Sequence, residues 1–173
     1  MDERFINIKT PIAKEDISGL NVGDKILISG YIFCGRDAVL PKIQKDFDDG
    51  KLEEKGIDLE GSVIFHTAVS PAGIGPTSSN KLEIESSIEP LSKAGVRIHL
   101  GKGKLKQETV DAMNENGSIY AVIPPVTALL GERTISKEVA AYPELGMEAF
   151  YRLEVRDFPA IVAAAKGKSI YDR

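Results

Sequence analysis

Arg36, Lys102 and the hydroxyls of Thr77, Ser78 and Ser79 lie in three short loops rich in small residues, each at the end of a strand-like apolar run. The loops read Phe33-Cys34-Gly35-Arg36-Asp37, Gly73-Ile74-Gly75-Pro76-Thr77-Ser78-Ser79 and Leu100-Gly101-Lys102-Gly103, and each leads toward a helix-like segment. Glycine lets a backbone approach a ligand, free amides at a helix start point outward, and Arg36 and Lys102 add full charges. Brought to one edge of a sheet, three such junctions would surround a small anion.

Each candidate also has a plainer role. Gly75-Pro76-Thr77 lacks the Gly-Lys-Ser/Thr ending of a nucleotide phosphate loop, which disfavours nucleotide hydrolysis. Gly101-Lys102-Gly103-Lys104 lacks the third glycine of a dinucleotide fingerprint and falls late in the chain, leaving a carboxylate site as its functional reading. Either loop alone also reads as a tight turn before a helix. Arg36 directly follows a strand, where open α/β sheets bind ligands, whereas Asp37 suits a helix N-cap. His66 and His99 sit inside apolar runs as hydrogen-bonded core residues would, and Cys34 has no histidine near it in sequence and reads as a small buried hydrophobe.

The elements that must position these groups alternate along a chain of 173 residues, enough for one domain with a substantial core. Phe5–Lys9 alternates as a half-buried strand stopped by Pro11, and 16–20 reads as a turn. Strands are expected at 25–33, with interior Gly30 marking a bulge or close approach, and at 62–67, 96–100, 118–123 and 149–155. Helices are expected at about 38–47, capped by Asp37, at 79–94, as one helix kinked at Pro90 or two short ones, and at about 106–115. Pro124-Pro125 stops a strand before a turn at 127–130, Asp157-Phe158-Pro159 breaks the last long strand, and the tail closes as a hairpin turning at Gly167. The expectation is an α/β domain with mixed sheets, parallel in the middle and antiparallel at the ends.

Hydrophobic residues at 42% and charged residues at 28% fit a soluble globular protein. A net charge of -4 argues against nucleic acid as a partner, since phosphate binding needs a concentrated basic surface. A single cysteine excludes an internal disulfide and cannot alone hold zinc or an iron-sulfur cluster, and two histidines make a histidine metal site an unpromising expectation. No apolar stretch approaches the roughly 20 residues needed to cross a bilayer, and Met1-Asp2-Glu3-Arg4 lacks a signal-peptide pattern, so no membrane partner and a cytoplasmic location are expected.

Gly35-Arg36-Asp37-Ala38, Gly75-Pro76-Thr77-Ser78-Ser79, Gly101-Lys102-Gly103 and Leu153-Glu154-Val155-Arg156-Asp157-Phe158-Pro159-Ala160, in this order, resemble the beta subunit of class I fumarate hydratases and L-tartrate dehydratases, the iron-sulfur hydro-lyases. The likeness covers nearly the whole chain, as one catalytic domain over 1–173. It implies a swivelling β/β/α domain and a partner alpha subunit, in an α2β2 assembly, whose three cysteines hold a 4Fe-4S cluster with one open iron. This chain would then bind no cofactor itself and supply half of a site for a small dicarboxylate. By the resemblance Thr77 sits at the proton-transfer position, Arg36, Lys81 and Lys102 anchor carboxylate charge with Gly75 and Ser78 lining the loop, and Asp37 orients Arg36 or acts directly. Two positions depart from the family pattern: Val39-Leu40-Pro41 stands where a histidine often follows the Arg-Asp pair, and Lys81 where an arginine is usual. Lysine neutralises charge but lacks the bidentate fork. Two readings from other classes remain, a non-enzymatic anion-binding domain and a phosphohistidine carrier using His66 or His99.

Overall fold

β2 (Lys25–Cys34) lies between β1 (Phe5–Lys9) and β9 (Phe150–Ala165), parallel to the first and antiparallel to the second. The structure, a computed structural model, describes residues 5–70, 73–77, 81–123 and 133–170, with the backbone alone at 68–70, 73–77 and 81–84. Beyond β1, the same side of β2 pairs in parallel with β3 (Val63–Phe65), β3 with β6 (Ile98–Gly101), and β6 with β7 (Ile119–Val122). β9 then pairs antiparallel with β7 as well as β2, so β2, β3, β6, β7 and β9 close into a ring. Parallel neighbours need long crossovers, and the chain supplies them as α2 (Leu40–Asp48), α3 (Lys81–Lys93) and α4 (Gln107–Glu115).

The period of two along each strand divides the apolar side chains between the inside of the ring and its outer wall. Ile26, Ile28, Ile32 and Cys34 of β2 join Phe65, Leu100 and Phe158 in one cluster. Phe33, Ile64 and Phe150 point the other way, against Leu40 and Ile43 of α2 and Leu91 of α3. Tyr120 and Ala163 receive Ile88 of α3 and Val110 and Met113 of α4.

The mixed α/β class, the single domain and a second, two-stranded sheet are as the sequence implies. Several boundaries are not. The segment 16–20 is not a turn alone: α1 (Lys14–Ser18) forms because the Asp16 carboxylate accepts the Ala13 N–H at 2.9 Å and satisfies the helix start. Asp37 does not cap α2. The helix begins at Leu40 with Val39 at the cap, because Pro41 fits the first turn, where its missing N–H costs nothing, while 37–39 form a turn. The strand expected over 62–67 splits at His66 into β3 and β4 (Thr67–Ser70), and the glycine loop at 73–77 is itself a strand, β5 (Gly73–Thr77), paired antiparallel with β4. Gly75 and Pro76 fall where that pairing shifts register, the position in which a residue without an N–H is tolerated.

Two more corrections concern the last third. The connector before 149 contains β8 (Thr134–Ala141), an edge strand on β9 whose side chains are mostly exposed and which therefore carries little apolar signal. β9 does not break at Asp157: the residue takes the left-handed conformation at φ +50°, donates its N–H to Ser29 Oγ at 3.0 Å, and lets the strand continue with one extra residue opposite Ile28–Gly30. The bulge is thus on β9. Gly30, at φ +110°, is instead a close approach, since a side chain there would strike Thr10. α3 runs as one helix through Pro90, β1 makes the amino-terminal pairing parallel, and Lys166-Gly167 turn β9 into β10 (Lys168–Ser169). The expected turn at 127–130 and Pro124-Pro125 lie outside the described residues.

Candidate functional site

Three parallel strands end level with one another, Cys34 beside Phe65 and Phe65 beside Leu100. The residues that follow leave from one edge: Gly35-Arg36-Asp37 from β2, His66-Thr67 from β3 and Lys102-Gly103 from β6. Backbone pairing carries on past the strand ends, with Gly35 N–H donating to Phe65 O and His66 N–H to Leu100 O, both at 3.0 Å. The second loop reaches this edge through its hairpin. Thr77 pairs with Thr67, which holds the Thr77 backbone beside a residue two positions past the end of β3.

Gly35 makes the first junction tight. A Cβ there would meet Val39 Cγ1 at 2.8 Å and Phe150 Cδ1 at 3.1 Å. Arg36 follows, partly buried, and its Nη2 donates to Glu148 Oε1 at 2.5 Å in an ion pair that spans 112 residues. Asp37 is also partly buried, and Lys102 is exposed on the loop that turns at Gly103, φ +84°. That loop is tied to α3, because Glu85 Oε1 accepts both the Lys106 N–H at 2.7 Å and the Thr109 hydroxyl at 2.8 Å. Gly75 and Thr77 lie on β5 and Lys81 opens α3. The side chains of Thr77 and Lys81, and Ser78 altogether, lie outside the description. The edge therefore gathers Arg36, Asp37, Lys102 and the Gly75–Thr77 backbone. Glu148 is the site-region residue that sequence reasoning missed: it lies in the segment read as a polar connector, and contact across so long a separation leaves no spacing to find.

Behind the edge runs a buried polar chain. His66 Nε2 and His99 Nδ1 share a hydrogen bond of 3.1 Å, and His99 Nε2 and Ser92 Oγ one of 2.9 Å. Burial lowers the His66 pKa to about 4 and, together with the charge of His66, holds His99 well below the ordinary imidazole range. Both rings are therefore neutral near pH 7, as core histidines should be. Fully buried imidazoles are inaccessible to phosphoryl transfer, which removes the carrier reading. Cys34 is buried too, its thiol pushed up by desolvation. Among the described residues no group of three or more His, Cys, Asp or Glu side chains converges on a metal, and no helix is long and apolar enough to cross a membrane. A cleft of about 500 Å³, lined by Tyr31, Phe33, Asp58, Glu60, Glu138 and Arg152 among others, includes none of the candidate residues.

Such a fold, with cations and glycine-lined backbone presented from the ends of parallel strands, defines a mixed α/β domain with a candidate site at one strand edge. The family described as Fumarase C-terminus matches residues 1–173, and the chain belongs to that family. It is 33% identical over 166 residues to the Escherichia coli protein named fumarate hydratase class I, anaerobic, covering 91% of this chain and 30% of that protein. With fumarate hydratase 2 of Leishmania major the identity is 29%, covering 97% of this chain and 31% of the relative. With the Methanocaldococcus jannaschii protein named "Putative L(+)-tartrate dehydratase subunit beta" it is 31%, covering 93% of this chain and 88% of the relative. The chain thus spans about a third of those fumarate hydratases and most of the tartrate dehydratase relative.

Proposed function

We propose that this chain is the beta subunit of an iron-sulfur hydro-lyase that interconverts fumarate and L-malate in the cytoplasm, with its site completed by a cluster-bearing alpha subunit in an α2β2 assembly. The observation that carries this reading is the convergence of Arg36, Lys102 and the Thr77 backbone on one strand edge in a chain of this family. In this reading the alpha subunit's 4Fe-4S cluster supplies a Lewis acid for the hydroxyl that is added or removed. In this reading the cluster belongs to the partner, because a single cysteine cannot by itself hold one.

The chain's own contribution is charge and proton handling. Removing a proton beside a carboxylate makes a dianion-like transition state, which fixed cations stabilise more than they stabilise the ground state. Arg36 and Lys102 serve as those cations, with Lys81 adding a point charge from the start of α3. The glycines of the loops bring backbone N–H groups close, beside Ser78. Thr77 holds or moves the proton at the carbon that does not take the hydroxyl. A threonine hydroxyl is a weak base, so a neighbouring group must take its proton in turn, with Asp37 one such carboxylate on this edge.

Reconstitution of the chain with its cluster-bearing partner under anaerobic conditions, followed by a screen of fumarate, L-malate and L-tartrate, tests the proposal. Fumarate and malate should interconvert fastest. Preference for tartrate would move the assignment to the dehydratase, the activity in the name of the relative of matching length.

A further inference from the structure

We infer that Glu148 is a positioning residue for Arg36, fixing the guanidinium at the strand edge where the proposed site binds a carboxylate. The inference rests on the hydro-lyase reading only for its substrate. The geometry stands by itself: Arg36 Nη2 lies 2.5 Å from Glu148 Oε1, with the side chains 27% and 29% exposed. Exposed arginines sample many rotamers, and a surface pair of this kind holds them weakly. Here both ends are mounted on one rigid frame. Arg36 stands three residues after Phe33, Glu148 two residues before Phe150, and those rings stack at 4.9 Å with 15° between their planes. Gly35 fills the corner between them with no room for a Cβ against Phe150. The inner oxygen, Glu148 Oε2, is shielded from solvent, so the attraction is less screened than at an open surface.

Kinetics of the assembled enzyme with L-malate test this, using Glu148→Ala, Glu148→Gln, Arg36→Ala and the Arg36→Ala/Glu148→Ala pair. Glu148→Ala should cost roughly tenfold to a hundredfold in kcat/KM, as misplacement of a substrate-positioning group does. Glu148→Gln, which keeps an acceptor, should recover part of the loss. The double variant should be no slower than Arg36→Ala alone. A second readout needs no activity: in the ¹⁵N-labelled chain, slow rotation of the Arg36 guanidinium should become fast in Glu148→Ala. Losses that add in the double variant, or a guanidinium whose rotation ignores Glu148, would overturn the inference. An inactive wild-type assembly would overturn the hydro-lyase reading and leave the guanidinium spectrum to decide the role of Glu148.

Discussion

Lys102 is exposed on a glycine-flanked loop that suggests no packing role, so in the proposed function it serves through its charge. In the assembled enzyme Lys102→Ala should keep the melting temperature and lose roughly a hundredfold or more in turnover, the usual loss when a transition-state anchor is removed; a near-normal rate would contradict the assignment. Thr77 separates chemistry from structure. It closes β5 before α3 begins at Lys81, so it is not placed as the cap of that helix. Thr77→Ser should retain partial activity and the nearly isosteric Thr77→Val should lose it while substrate still binds; an active valine variant would shift proton transfer to the alpha subunit. His66 and His99 make a prediction of their own. Their folded pKa values are depressed, so between about pH 6.5 and 4 the unfolded chain binds protons that the native state refuses, and stability falls as pH falls through that window. For His66 alone the loss between pH 7 and pH 5 is roughly 2 kcal/mol. Urea midpoints at the two pH values should show it, and equal midpoints would contradict the neutral buried pair.

At the scale of elements, the legible parts were those with a strong local signal. Runs buried on both sides, such as Val63-Ile64-Phe65 and Ile119-Tyr120-Ala121, declare themselves by β-branched and aromatic residues between glycine or polar breaks. β8 did not, because an edge strand with one solvated face needs few apolar residues. The glycine loop at 73–77 reads by composition as a small-anion loop or a tight turn, and only the β4 partner, invisible to local reading, makes it a strand. Likewise the junctions carrying Arg36 and Lys102 were recognisable from glycine and charge, whereas Glu148 entered only through tertiary packing. The frame behind that packing is testable. Gly35→Ala must displace Val39, Leu40 or Phe150, all buried. It should therefore destabilise the chain by about 1–3 kcal/mol, measurable as a lowered melting temperature, and an unchanged melt would mean that the corner is looser than its contacts indicate.

For the molecule as a whole, the ring of five strands has its apolar interior filled by its own side chains and its outer wall covered in part by α2, α3 and α4. The chain thus has the core of a self-supporting domain, and in the proposed function it presents, at one edge, the part of a catalytic constellation that a cluster-bearing alpha subunit completes. Hydration of fumarate, measured anaerobically with the purified chain alone and with the chain added to its cluster-bearing partner, tests this most directly. The account predicts a cooperatively folded chain with no turnover alone and full turnover on mixing. Full turnover by the metal-free chain alone, or turnover by the partner that is indifferent to this chain, would contradict it.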